Sequence, residues 1–143
     1  MIKTSIIVGQ VASALKETEK MNDYKVILAY VNDIKPVPVT EPIVAVSLKK
    51  CDIGNKKIMI DDSGEAQETL WRDVSTVVSV DIYLPYAYKQ SLGIQIFDEI
   101  THCLFNFESF EILEATCEEA HYDSASQTIL IRSNFTIMRT ESP

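Results

Sequence analysis

Glycine is scarce in this chain: Gly9, Gly54, Gly64 and Gly93 are the whole set, and no two are close neighbours. Nucleotide-binding loops need closely spaced glycines so that backbone amides can approach phosphate, which excludes a phosphate loop. Histidine is scarcer still, at His102 and His121 alone. Any Ser-His or Cys-His pairing has to use one of them, and no serine sits on the glycine-flanked turn of a nucleophile elbow. Cys51, Cys103 and Cys117 are odd in number and widely spaced, unlike a secreted disulfide framework, so they predict free thiols in a reducing compartment. Long apolar runs are missing too. The opening stretch is apolar for only three consecutive residues after its lysine, Ile6-Ile7-Val8, which predicts neither a signal peptide nor a membrane span.

Positive charge is also in short supply. Against 21 acidic side chains stand 13 basic ones, giving a net charge of −8. Neutralising phosphates requires clustered Lys and Arg, so specific nucleic-acid binding is disfavoured, as is binding to anionic lipid. The compact basic spots are Lys49-Lys50 and Lys56-Lys57, flanking a turn that they keep solvated. An acidic surface does suit a protein past which nucleic acid must move without sticking.

What is present is the composition of a globular core. The 143 residues are 46% hydrophobic, the usual size and content of one domain, and residues 1–143 are read as a single unit without repeats or linkers. Ile7, Val11, Ala14, Leu15 and Thr18 recur at helical spacing and predict a helix over about 4–20, with Gly9 weakening it. Residues 24–31 read as a strand, and Pro36, Pro38 and Pro42 then exclude both helix and central strand. Ile43 to Leu48 is apolar on both faces, which suggests a central strand, and Lys57 to Ile60 is a short strand between turns.

The clearest signal lies between Val74 and Leu84. Thr76, Val78, Val80, Ile82 and Leu84 alternate with Ser75, Ser79 and Asp81, a period of two that predicts a strand with one face on a core and the other in solvent. Leu92, Ile96, Phe97, Ile100, Cys103, Leu104 and Phe107 form the apolar stripe of a helix, with Ile94 off it. A closing hairpin follows, with Leu113, Ala115 and Cys117 expected inward, a polar turn at 123–126, and Ile129, Ile131, Phe135 and Ile137 at even spacing. This order lacks strand–helix alternation. It predicts an α+β fold, a mostly antiparallel β-sheet with two main helices packed on one face. The expected core is Val78, Val80, Ile82, Ile96, Phe97, Ile100, Leu104, Ile129, Ile131 and Phe135.

Candidate chemistry is thin, and no catalytic, cofactor or metal site is predicted. His102 falls on the polar side of its helix. Cys117 and His121 can share a strand face but lack the further ligands of a zinc site. Asp61-Asp62-Ser63-Gly64-Glu65 lacks the alternating oxygens and distal glutamate of a calcium loop and reads as a polar turn. Glu108, Glu111, Glu114, Glu118 and Glu119 cluster around one strand, where a solvated face is the ordinary meaning and a channel wall the alternative. Trp71 reads as a plug at a core edge, and Tyr83, Tyr86 and Tyr88 around Pro85 as an interface patch or ordinary packing. The segment from Cys51 to Trp71 holds two glycines, Lys56-Lys57 and an acidic run. It is expected to be a projecting assembly loop.

The order of elements resembles a known family. A helix leads to a strand, a Pro-rich passage and a strand, Pro42-Ile43-Val44-Ala45-Val46-Ser47-Leu48. Then come a turn-rich loop, a strand ending in proline, Val77-Val78-Ser79-Val80-Asp81-Ile82-Tyr83-Leu84-Pro85, a helix with Gly93-Ile94-Gln95-Ile96-Phe97-Asp98-Glu99-Ile100, and a hairpin. This pattern is similar to the small tail terminator proteins of tailed phages and phage-tail-like particles. The resemblance implies a structural subunit of a ring, commonly of six copies, that ends the tail tube, stops its polymerisation and offers a surface for joining the head. It implies no enzymatic activity and no cofactor. Its partners would be further copies, the tail tube protein and a head-connector or sheath protein, without specific nucleic-acid or membrane binding. Its place would be a virion or tail-like particle assembled in host cytoplasm. On this reading Lys56, Lys57, Asp61, Asp62, Glu65, Glu68, Tyr86 and Tyr88 are assembly contacts, and Glu114 and Glu118 face a lumen. A head–tail connector, stopper or tube adaptor fits the same layout, and a small-ligand-binding or enzymatic domain with a site near His102 or His121 is the more distant alternative.

Overall fold

The computed structural model describes residues 4–28, 39–54, 57–60, 66–108 and 110–141. Helix α1 spans Thr4–Glu17 and a 3-10 turn Glu19–Met21. The first strands are β1 Lys25–Leu28, β2 Ile43–Ile53, β3 Lys57–Ile60 and β4 Ala66–Pro85. Helix α2 is Gln90–Phe105, and β5 Glu111–Cys117, β6 His121–Asp123 and β7 Thr128–Glu141 complete the chain. The sheet runs β1-β2-β4-β7-β5, with β3 added to β4 and β6 to β7. The β1–β2 pair is parallel and the others are antiparallel, so the fold is α+β with a mostly antiparallel sheet.

Both helices lie on one face of that sheet. Ile7, Val8, Val11 and Leu15 of α1 and Ile96, Ile100 and Leu104 of α2 are buried in one cluster with Val44, Val46, Val78, Val80, Ile82, Ile131, Phe135 and Ile137. Helix α1 packs on β1 and β2, while α2 packs on β4, β5 and β7. The helix stripe and the strand alternation thus meet as the sequence predicts, with Phe97 and Ile129 half-buried against the same cluster. Phe97 and Phe135 contribute a ring pair with centroids 6.2 Å apart. Helix α1 forms despite Gly9 because tertiary burial of its apolar face outweighs a propensity cost of about 1 kcal/mol. Its end is tied to α2: the Thr18 hydroxyl and the Cys103 thiol lie 2.9 Å apart, and both donate to Ala14 O.

Three expectations need correction. Strand β5 does not put Leu113 in the core; Ile112 is buried instead, and Leu113 is 63% exposed. A register shift between Ile112 and Glu114 inserts one extra residue against β7, and a bulge of this kind reverses the phase of a strand locally. Ala115 then packs against the core as expected, while Cys117 is exposed. Ser79 and Asp81 are buried rather than solvated, because β4 is a central strand and side chains from both neighbours shield its second face. Finally, Cys51–Trp71 is not simply a loop. Strand β2 runs on to Ile53, β3 pairs with β4, and Trp71 lies inside β4 opposite Lys57. Cross-strand pairing holds residues 51–53, 57–60 and 66–71, and the glycines and charges between the apolar residues are what made the segment read as a loop.

The 20 residues of β4 extend to about 65 Å at roughly 3.3 Å per residue. Among the described residues β7 accompanies it as far as Arg72, and β2 as far as Val74. The Gly54 N–H donates to Asp73 O at 2.7 Å and carries the pairing toward β3. From Ala66 to Trp71 the partner among the described residues is β3 alone. Strands β2 and β3 on one side and β4 on the other therefore form a ribbon that runs past the end of the sheet.

Candidate assembly surfaces

The face of the sheet away from the helices is organised in cross-strand rows, since directly opposed residues share a face. At one end Ile43, Tyr83 and Leu130 stand side by side and, with Ile27, Val39 and Ala45, form a second buried apolar cluster. Val39 is held over it by its N–H donating to Ser126 O at 3.2 Å. The next row is Ala45, Asp81 and Arg132. Asp81 accepts from Ser79 Oγ at 3.0 Å, and its other oxygen lies 3.8 Å from Arg132 Nε. The Asp81 side chain is 8% exposed and that of Arg132 49%, so this pair is half-shielded at the centre of the open face.

Beyond it come Ser47, Ser79, Asn134 and Thr116, and then Lys50, Val77, Thr136 and Glu114. The expected lumen residues both lie on this face. Glu118 borders a shallow depression with Ser47, Lys49, Asp81 and Arg132. Glu114 borders another with Lys49, Lys50, Thr116 and Thr136. The basic pair Lys49-Lys50 sits on β2 rather than beside a turn, and Lys50 Nζ meets Asp52 Oδ2 at 3.1 Å.

The aromatic patch lies at the Pro85 end of β4, beside the apolar cluster. Tyr86 follows Pro85, and Tyr122 of β6 stacks on it with centroids 5.5 Å apart and planes at 28°. Both rings are at least half exposed, at 64% and 50%. The Tyr88 N–H donates to Pro85 O at 3.0 Å, closing the turn that presents these rings. Tyr83 separates from the group, buried in the second apolar cluster. Of the remaining expected contacts, Lys57 is placed in β3 and Glu68 in β4, both within the ribbon. Lys56, Asp61, Asp62 and Glu65 lie outside the described residues.

The groups considered for chemistry do not converge. His102 is exposed, with its carbonyl accepting from Asn106 Nδ2 at 2.7 Å. Cys117 pairs with Ser133 and His121 with Leu130. Ser133 and Leu130 differ by an odd number of positions in β7, so Cys117 and His121 stand on opposite faces of the sheet. The Cys117 thiol is pushed above its ordinary value by burial, then by the charges of Glu118 and Asp98, and it donates to Glu118 O at 3.7 Å. A thiol held protonated is a poor nucleophile. Among the described residues no group of three or more His, Cys, Asp or Glu side chains is placed to hold a metal ion, and no helix is long and apolar enough to cross a membrane.

Sequence reasoning missed the Asp81–Arg132 pair and the Tyr122 partner of Tyr86. The first left a signal: one opposite charge in the middle of each of two long apolar strands marks residues that need each other. The second left none, because the hairpin register that brings Tyr122 beside Tyr86 is set by the turn. No protein-family model matches this chain and no curated protein is found similar to it.

Proposed function

We propose that this chain is a structural ring subunit that caps a phage-type tail tube, stops its growth and presents the surface to which a head or sheath component joins. The observation that supports this reading is the ribbon of β3 and the first part of β4, which leaves the sheet after Val74 and Arg72. A two-stranded hairpin alone in water is marginally stable, so an arm of this kind is stabilised by lying against a neighbour. The fold agrees with the layout the resemblance implies: a mostly antiparallel sheet carrying both helices on one face. Beyond the apolar cluster at one end, its other face is polar and shallow, with Glu114 and Glu118 bordering depressions shared with Lys49, Lys50 and Arg132, suited to contact rather than to enclosing a substrate. The partners are further copies of the chain, commonly six, together with the tube protein and a head-connector or sheath protein. The setting is a virion or tail-like particle assembled in host cytoplasm, and the role requires no catalysis.

Electron microscopy of particles assembled without this chain tests the reading. Overlong tails of variable length support a terminator. Tails of normal length that fail to join heads support the connector or stopper reading instead, and unaltered particles sink both.

A further inference from the structure

Strand β5 ends the order of strands, so its outer backbone groups meet no strand among the described residues. Native proteins blunt such an edge with charge or a bulge, and β5 carries both, a bulge at Leu113 and glutamates around it, so what it offers a partner is side chains rather than a strand to extend. This edge has an exposed leucine at its bulge, Leu113, at 63% exposure, which is an apolar group offered outward. Around it the charge is of one sign. Between Lys89 and Arg132 the chain carries eight acidic residues and no lysine or arginine, with Glu111, Glu114 and Glu118 on or beside β5 and all exposed.

The opposite side of the sheet has the complementary character. Among the described residues β2 pairs with β1 from Ile43 to Val46. Just past that point it presents Lys49 and Lys50, both exposed, between Leu48 and Ile53 at 48% and 53% exposure. One chain thus carries an acidic edge with an apolar centre and, on β2, two lysines between apolar residues, one of them, Lys50, paired with Asp52 of the same strand. Two copies cannot meet through β5 on both sides, because glutamates would then oppose glutamates. A contact between unlike patches on successive copies is heterologous, the type that closes into a ring.

We infer that copies of this chain associate head to tail, the β5 edge with Glu111, Leu113, Glu114 and Glu118 docking against the Lys49-Lys50 stretch of β2 on the next copy. The inference rests on the ring-subunit reading above and names the surface that builds the ring. Its occupant is a second copy, chosen by charge complementarity, which steers association and rejects like-charged alternatives.

Two charge-swapped proteins test it. One carries Glu111→Lys, Glu114→Lys and Glu118→Lys; the other carries Lys49→Glu and Lys50→Glu. All five positions are exposed, and circular dichroism melts check that each protein folds. Within one copy Glu114 borders the same depression as Lys49 and Lys50, so all the swaps in a single chain would not separate contacts within a copy from contacts between copies. Mixing the two chains does. Native mass measurement up to millimolar concentration is expected to show the unaltered protein self-associating, each variant alone at least about tenfold weaker, and the equimolar mixture restored as alternating copies. Association of the unaltered protein is also expected to weaken as salt rises. A mixture that stays dissociated, variants that assemble alone like the unaltered chain, salt-independent association or an unaltered chain that is monomeric throughout would each overturn the inference. Tail length in particles reads capping rather than docking, so head-to-tail association alongside normal tails would sink only the capping role.

Discussion

Two glycines in helices should respond in opposite directions to the same change. Gly9 lies inside α1, and a β-carbon added there meets nothing within 4 Å. Gly9→Ala should therefore recover the propensity difference of about 1 kcal/mol, raising the melting temperature by about 3 °C for a chain of this size. Gly93 lies inside α2 and is buried. A β-carbon there would run into Ile131 Cδ1 of β7 and sit 3.6 Å from Leu84 Cδ2. Ile131 is 3% exposed, so its δ-methyl has to shift among packed neighbours rather than into solvent. Overpacking of this kind costs about 1–3 kcal/mol, which cancels or outweighs the same propensity gain. Gly93→Ala should leave stability unchanged or lower it by up to about 2 kcal/mol. Ile131→Val removes the obstructing methyl at a cost of roughly 1 kcal/mol. In that background Gly93→Ala should become stabilising, much as at Gly9. A double-mutant cycle by thermal and urea unfolding reads the coupling directly. If Gly93→Ala stabilises the unaltered protein as much as Gly9→Ala does, the close seating of α2 on β7 is wrong.

Truncating Phe135, fully buried against Phe97, to alanine should cost about 3–5 kcal/mol in urea unfolding, and an unchanged midpoint would mean the core is misassigned. Gln127 is exposed and holds a φ of 56°, so Gln127→Gly should stabilise the β6–β7 turn by up to about 1 kcal/mol; a loss of that size would contradict the turn geometry. Alkylation of Cys117 should accelerate only above the ordinary thiol range, because burial and then Glu118 and Asp98 raise its pKa, and Glu118→Gln should move the midpoint down. The sign for stability follows: the contribution of this thiol is present at neutral pH and lost as pH rises through the unfolded value toward the raised folded one. An alkylation midpoint at or below that of a free cysteine would refute it.

Much of the fold was legible because two independent periodicities agreed. Val78, Val80 and Ile82 repeat every second residue, Ile96, Ile100 and Leu104 every fourth, and the structure packs these rows on each other. The phase of β5 was not legible, since Leu113 and Ile112 are equally apolar and only the bulge decides which turns inward. Nor was the burial of Asp81, which depends on β4 being central and on Arg132 arriving from β7. The ribbon was half legible: β3 was expected at Lys57 to Ile60, but its partner strand, Ala66 to Trp71, was hidden because Gln67, Glu68 and Thr69 give it no apolar alternation. Of the candidate surface, the exposed tyrosines and glutamates were visible as residue types. Their grouping into a Tyr86–Tyr122 stack and an acidic edge opposite Lys49 and Lys50 came only with the topology.

The proposed role is tested most directly by growing tubes from purified tube subunits with increasing amounts of this chain and measuring tube lengths by electron microscopy. Capping predicts that tubes shorten as the chain is added, that it is found at tube ends, and that far less than one copy per tube subunit suffices. Tube lengths that stay the same at every ratio, with the chain remaining free in solution, would contradict it.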